Sequence, residues 1–154
     1  MNPQAALLKA NIDADIQEIE ALYGRLSDYA NALTTTEQAI LAGYYLNNLY
    51  NAFENISLNV ARTFENQIDN RGQWHSSLLK RMTLDIEGIR PKLWCAEAYK
   101  SLDELRRFRH IFRHAYTIEL DPQRMMIVII QAQHLHHFYQ TDLDQFKAFL
   151  NTLI

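Results

Sequence analysis

The residues whose types and spacing could do chemistry are concentrated in the segment 106–116, Arg106-Arg107-Phe108-Arg109-His110-Ile111-Phe112-Arg113-His114-Ala115-Tyr116. Arginine makes paired hydrogen bonds to phosphate, and histidine exchanges a proton near neutral pH. These are the groups that metal-free RNA cleavage requires. A base deprotonates the ribose 2′-hydroxyl, and a cation stabilises the charge that grows on the phosphorus oxygens.

Apolar residues recur through this segment at helical spacing, which predicts a helix with two faces. At about 100° per residue, one face is predicted to be buried: Leu105, Phe108, Ile111, Phe112, Ala115 and Tyr116. The other face is polar: Arg106, Arg107, Arg109, His110, Arg113 and His114. Arg109 and His114 lie about 7.5 Å apart along the helix axis. That distance suits a long ligand, and two copies across a two-fold axis would bring such groups together more easily than one.

Two simpler interpretations compete with chemistry. A basic helix face is often only a solvated face, although lysine is the more usual residue for that purpose. His110 and His114 also have the i, i+4 spacing of a zinc helix, with His134, His136 and His137 as further candidate ligands. No glutamate completes a HExxH motif, and neighbouring arginines disfavour a divalent cation. We therefore predict no metal and no cofactor.

Length and composition predict one globular domain over residues 1–154, with 48% hydrophobic and 21% charged residues. The net charge of −3 argues against non-specific coating of nucleic acid. Any polyanion would bind locally, because the segment 100–114 carries five Lys/Arg against two acidic residues. The chain has no signal-peptide pattern, no apolar run of membrane-spanning length, and one cysteine, Cys95. We therefore expect a cytoplasmic protein with no membrane partner.

Hydrophobic periodicity predicts an all-α fold, an antiparallel up-and-down bundle of four to five helices. The first helix should begin at Pro3 after Asn2, and the last at Pro122 after Asp121. The first helix is predicted over residues 3 to about 33, and the second from about 36 to Asn70-Arg71-Gly72. The third and fourth are predicted over 73–85 and 93–116. The fifth is predicted from 122 to the end, with a possible kink near Gln140-Thr141.

The expected apolar stripe of the second helix is Ile40, Tyr44, Leu49, Phe53, Ile56, Val60 and Phe64. Between these residues lie asparagines that we interpret as a solvated face, with contact to a ligand or partner as the alternative: Asn47, Asn48, Asn51, Asn55 and Asn59. The last helix is expected to carry Met126, Ile129, Ile130, Phe146 and Leu150, with its histidines divided between core and surface. His75 is interpreted as a packed, capped histidine that could approach the functional helix, and Cys95 as a small core residue.

Arg109-x4-His114-x-Tyr116 resembles the Arg-x(4–6)-His-x-Tyr motif of HepT-like toxins, within the HEPN superfamily. Arg109-His110-x3-His114 also resembles the broader HEPN pattern. The likeness extends over most of the chain and includes Trp74-His75 with Leu78-Leu79, Ile89-Arg90-Pro91 and Leu120-Asp121.

The resemblance implies a HEPN-like helical bundle that acts as a metal-independent ribonuclease in a homodimer cleft. By this resemblance we expect Arg109 and His114 to be catalytic, with His110 in support. We expect the other arginines of the helix to bind RNA: Arg106, Arg107 and Arg113. Toxins of this type are paired with a minimal nucleotidyltransferase antitoxin, which in some systems transfers AMP to the motif tyrosine, here Tyr116. The alternative is a non-catalytic HEPN module that binds a nucleotide or a nucleotidyltransferase partner. His114 separates the two hypotheses, because catalysis requires it and phosphate binding requires it less.

Overall fold

A computed structural model describes residues 2–29, 33–65, 74–114 and 120–154. Five α-helices form this part of the chain: α1 Pro3–Leu26, α2 Thr36–Phe64, α3 Trp74–Arg81, α4 Ala96–His114 and α5 Pro122–Asn151. A short 3₁₀ turn, Ser27–Tyr29, follows α1. The described residues contain no strand beyond one isolated bridge between Ile86 and Arg90. The predicted all-α fold of four to five helices is confirmed.

Side-chain pairs establish the directions of the four long helices. Asn55 of α2 donates to Asp15 of α1 near the middle of both helices, and Arg25 at the end of α1 lies over Tyr45 near the start of α2. Trp94, just before α4, bonds to Ser57 of α2, whereas Arg109 late in α4 reaches back to Asn51. Thus α1 and α4 both run antiparallel to α2.

The last helix returns alongside α1 and α4. Gln131 of α5 accepts from Ser101 of α4, and Asp142 accepts from the backbone of Cys95 at the start of α4. Further along α5, Lys147 pairs with Asp13 of α1. The α5 helix therefore runs antiparallel to α1 and α4, which gives up-and-down connectivity.

The helices α1, α2 and α5 begin at caps formed by side-chain oxygens, and the sequence predicts the starts at Asn2 and Asp121. Asn2 accepts from the backbone N–H groups of Gln4 and Ala5, and Asp121 accepts from that of Gln123. Thr35 and Gln38 form a reciprocal capping box at the start of α2. These side chains satisfy N–H groups that have no partner inside the helix.

Several predicted boundaries are wrong. The α1 helix ends at Leu26, and α3 ends at Arg81 because the next carbonyl, that of Met82, accepts from Leu93 and Trp94 at 2.8 and 3.1 Å. These bonds keep residues 93–95 outside α4, which begins at Ala96. The α2 helix ends at Phe64, and Asn70-Arg71-Gly72 lies outside the described residues. The α5 helix continues without a break through Gln140 and Thr141.

The segment between α3 and α4 is organised by a buried arginine. The Arg90 side chain is fully buried, and its guanidinium donates to the Glu65 carboxylate and to the carbonyls of Leu84 and Pro91. Gly88, at φ 78°, allows the tight turn that places Arg90 there. The predicted loop at 87–91 is therefore a fixed turn.

The largest side chains of the core come from α2, from α5 and from the segment just before α4. Its biggest fully buried members are Trp94, Tyr50, Tyr139, Phe53 and Phe146. None of the helices in the described residues has the length and hydropathy needed to cross a bilayer.

The predicted apolar stripes are wrong at four positions, because Ile40, Tyr44, Ile111 and Ile130 are about half exposed. In α2, the small residues Ala39, Ala42 and Gly43 occupy the buried face instead. Gly43 faces the ring of Phe112 so closely that a Cβ there would stand 2.9 Å from Phe112 Cε2. Small side chains let α4 approach α2, and this rotates the bulkier residues of α2 outward.

Candidate active site

Arg109 is held at the side of α4 that faces α2. Its Nε donates to Oδ1 of Asn51 at 2.5 Å, and its Cζ lies 5.9 Å from the centroid of the Tyr50 ring. Asn51 and Tyr50 are both neutral, so no carboxylate among the described residues compensates the charge on Arg109. A guanidinium in this setting is fixed in place and keeps its full positive charge for an anion.

Arg106 and Arg107 have a different environment from Arg109. Both pair with the Asp103 carboxylate, at 2.9 and 3.1 Å, and Arg107 also approaches Glu104 at 3.7 Å. Their charges are partly compensated within one turn of the helix. These two arginines therefore offer a phosphate a weaker attraction than Arg109 does.

The exposed end of α4 carries Arg113 and the two histidines. The rings of His110 and His114 are in contact, with centroids 4.6 Å apart and planes inclined at 61°. Arg113 is exposed and makes no ion pair with any described residue. The helix thus brings the two predicted histidines together beside an unpaired cation.

The position of this end of α4 is determined by packing on both sides of the motif. Phe108 is buried, Phe112 packs against Gly43, and Leu120 also approaches Gly43. Ile111 was expected on this buried face, but its side chain is 55% exposed. Ile111 is exposed because the close contact at Gly43 accommodates Phe112 and leaves the Ile111 side chain on the solvent side of α4.

The beginning of α4 is fixed by Cys95 and Asp142. The sulfur of Cys95 accepts from the N–H of Ala98, and the buried Asp142 carboxylate accepts from the N–H of Cys95. Cys95 is half-buried and acts as a helix cap, so its interpretation as a simple core residue is incomplete. Burial raises the pKa of its thiol to about 11.

A second group of residues lies behind Arg109. The hydroxyl of Tyr50 donates to Oε2 of Glu54 at 2.9 Å, and the same oxygen lies 2.6 Å from Nδ1 of His75. Burial and the Glu54 charge raise the pKa of Tyr50 above its usual range, so this hydroxyl stays protonated. The ring of His75 stacks on Trp74 at a centroid distance of 3.6 Å. His75 is therefore a hydrogen-bonded member of a polar group.

Sequence reasoning missed Asn51, Tyr50 and Glu54 as neighbours of the motif. The sequence pattern favours a solvated face for Asn51, with a functional contact of these asparagines as the alternative. The available signal was the i, i+4 pair Tyr50–Glu54 on a helix rich in asparagine. That pattern gives no indication of which helix lies opposite.

The competing interpretation, a metal site that includes histidines of the last helix, receives no support from α5. His134, His136 and His137 are all exposed, which corrects the expected division between core and surface, and His136 pairs with Glu20 at 2.8 Å. Within the described ranges, no three His, Cys, Asp or Glu side chains are grouped as a metal site would require. Tyr116 and Ala115 lie outside the described residues.

Comparison with known proteins gave one result. A family model with the description HepT-like protein matches residues 41–150, which include α3, α4 and most of α2 and α5. Comparisons with curated proteins and with solved structures gave no significant match.

Proposed function

Because the chain belongs to the HepT-like protein family, we propose that it is a metal-independent endoribonuclease toxin of a toxin–antitoxin system. The proposed catalytic residues are Arg109 and His114, with His110 in support. Arg113 binds the RNA backbone next to them, and Arg106 and Arg107 contribute more weakly because Asp103 partly compensates their charge. The protein acts in the cytoplasm, where its RNA substrate is available.

The observation that carries this proposal is the contrast between Arg109 and its neighbours. Arg109 is fixed by the amide of Asn51 and the ring of Tyr50, and neither partner bears a charge. A cation that is already fixed stabilises a developing anion without reorganisation during the reaction. Arg109 shares α4 with the contacting pair His110 and His114, and this supports the proposal that a cation and a base act on the same RNA strand.

In the proposed reaction, His114 removes the proton from the ribose 2′-hydroxyl, and the 2′-oxygen attacks the adjacent phosphorus. Arg109 stabilises the additional negative charge on the phosphorus oxygens. The bond from phosphorus to the 5′-oxygen breaks, and that oxygen takes a proton from a histidinium or from water. The products are a 2′,3′-cyclic phosphate and a free 5′-hydroxyl, and the step requires no metal.

A second copy of the chain completes the cleft in this proposal. Exposed apolar side chains lie near the end of α4, with Ile111 on α4 and with Ile40 and Tyr44 on α2 beside the contact of Gly43 with Phe112. Apolar side chains at one end of a protein are typical of an interface. A two-fold axis near Ile111 would place the histidines of one copy opposite those of the other.

The proposed partner is a minimal nucleotidyltransferase antitoxin that transfers AMP to Tyr116. Tyr116 is two positions after His114 in the sequence. A bulky negative charge at this end of the helix would block RNA and pair with the free arginines. Co-expression with the antitoxin should add the mass of AMP at Tyr116, and full neutralisation with unmodified Tyr116 would refute this part of the proposal.

The test of the reaction is cleavage of a labelled RNA by the purified protein in EDTA. Wild-type protein should cleave, and His114→Ala should lose at least about a hundredfold in rate while it still binds RNA. His137→Ala is the matched control, because His137 is an exposed histidine of α5 outside the motif. Undiminished cleavage by His114→Ala refutes the assignment, and RNA binding without cleavage by the wild type indicates a non-catalytic module.

A further inference from the structure

We infer that Tyr50, Glu54 and His75 position the guanidinium of Arg109 for RNA cleavage, and we call these three the platform residues. The inference rests on the proposed function, because it requires Arg109 to act on RNA. Tyr50 forms the surface on which Arg109 lies, and Glu54 and His75 hold Tyr50 in place. None of the three needs to touch the substrate.

Glu54 is the centre of the platform. Its side chain is only 9% exposed, and its Oε2 atom accepts from Tyr50 at 2.9 Å and lies 2.6 Å from Nδ1 of His75. A carboxylate only accepts hydrogen bonds, so Nδ1 of His75 carries the proton in this arrangement. A buried charge without such partners would be costly. The two hydrogen bonds therefore fix the carboxylate, and the carboxylate fixes the Tyr50 hydroxyl.

Arg109 occupies the ring face of the tyrosine held in this way. Its Cζ lies 5.9 Å from the ring centroid, within the distance at which a cation is attracted by an aromatic face. Asn51 holds the Nε edge of the same guanidinium. The terminal nitrogens of Arg109 make no hydrogen bond to the described residues, which leaves them available for two phosphate oxygens.

His75 connects the platform to α3. The imidazole of His75 stacks on the Trp74 ring with a centroid distance of 3.6 Å, and its Nδ1 bonds to the carboxylate of Glu54. The short helix α3 thus contributes to the position of Arg109 although it shares no residue with the motif. This gives His75 a role that its interpretation as a packed histidine did not include.

A second arginine–tyrosine pair provides an internal control. Arg25 lies over the ring of Tyr45 at 5.8 Å, almost the same distance as in the Arg109–Tyr50 pair. No described carboxylate accepts from the Tyr45 hydroxyl, and Arg25 is on α1, outside the motif. Loss of the Tyr45 hydroxyl therefore tests the effect of removing a tyrosine oxygen without disturbing the platform.

The experiment measures kcat and KM for RNA cleavage by full-length Tyr50→Phe, Glu54→Gln, His75→Ala and His75→Asn. Tyr50→Phe and Glu54→Gln should lower kcat about tenfold and change KM less than about twofold, because a misplaced catalytic group affects the transition state most. The amide nitrogen of asparagine can stand where Nδ1 of histidine does, so His75→Asn should recover most of the activity that His75→Ala loses. Tyr45→Phe should match the wild type.

Wild-type kcat in Tyr50→Phe and Glu54→Gln overturns the inference, as does equal loss in His75→Ala and His75→Asn. A fall in kcat that only follows the fraction of folded protein also overturns it, because the residues would then be merely structural.

If the wild type does not cleave RNA, the proposed function fails, and nitrogen-15 NMR of arginine side chains tests the platform alone. The Arg109 Nε–H should then exchange with water faster in Tyr50→Phe and Glu54→Gln, with Arg25 unchanged, and an unchanged Arg109 signal overturns the inference.

Discussion

Asn51→Asp tests whether RNA cleavage depends on the uncompensated positive charge of Arg109. The substitution keeps the size of the side chain and replaces a neutral oxygen, 2.5 Å from Arg109 Nε, by a carboxylate. Arg109 would then have the kind of partner that Arg106 and Arg107 find in Asp103. We expect loss of RNA cleavage without loss of the folded structure.

The magnitude follows from the distance between the two charges. Charge centres about 4 Å apart interact by about 1 kcal/mol in water and about 4 kcal/mol at the effective dielectric of a protein surface. Asn51 is exposed and Arg109 is half-buried, so an intermediate value of about 2 kcal/mol applies. A phosphate must compete with this pairing, and kcat/KM should therefore fall about thirtyfold. The same attraction also stabilises the folded protein, so the free energy of unfolding should not fall.

The assay is cleavage of a fluorogenic RNA in EDTA, with urea unfolding of the same samples. Asn151→Asp is the matched control: Asn151 also accepts from a cation, Lys9 Nζ at 2.8 Å, and it lies at the far end of α5 from the motif. Both variants change the net charge equally, so a general loss of RNA attraction would appear in both. Full activity in Asn51→Asp would refute the reasoning that Arg109 acts through its free charge.

Three further predictions concern stability and reactivity. Glu65→Gln leaves the buried guanidinium of Arg90 without its counter-charge, and urea unfolding should show a loss of about 3 kcal/mol; a loss below about 1 kcal/mol would contradict this. Gly43→Ala places a methyl group 2.9 Å from the Phe112 ring, and the overpacking should outweigh the gain in helix propensity by about 1 kcal/mol. Increased stability would show that α4 has room to move. Cys95, with a pKa of about 11, should react with iodoacetamide at pH 8 about a hundredfold more slowly than a thiol of ordinary pKa 9.0. Mass spectrometry measures this rate, denatured protein is the control, and equal rates in the two would be evidence against the raised pKa.

The all-α class and the starts of α1, α2 and α5 could be predicted because they depend on local chemistry. Asn2 with Pro3, Thr35 with Gln38, and Asp121 with Pro122 satisfy N–H groups a few residues away, so their spacing in the sequence is sufficient. The ends of α1 and α3 and the start of α4 were predicted less well. The boundary after α3 depends on Met82, whose carbonyl bonds to residues that lie eleven and twelve positions later in the chain.

Burial was predicted poorly wherever two helices approach closely. Periodicity identifies an apolar face but does not measure the distance between helices. At Gly43, the short distance to Phe112 turns Ile40, Tyr44 and Ile111 toward the outside. The same side chains became the apolar surface on which the proposed second copy packs.

For the candidate site, the sequence by itself determined which residue types are present and that one helix carries them. The order Arg109, His110, Arg113 and His114 on a single helix follows from local spacing alone. The tertiary structure decided which arginine is held in place by neutral side chains, because Asn51 and Tyr50 come from α2, whereas Asp103 lies on the same helix as the arginines. Charge compensation depends on distances of a few ångströms between helices, and those distances are determined only when the bundle packs.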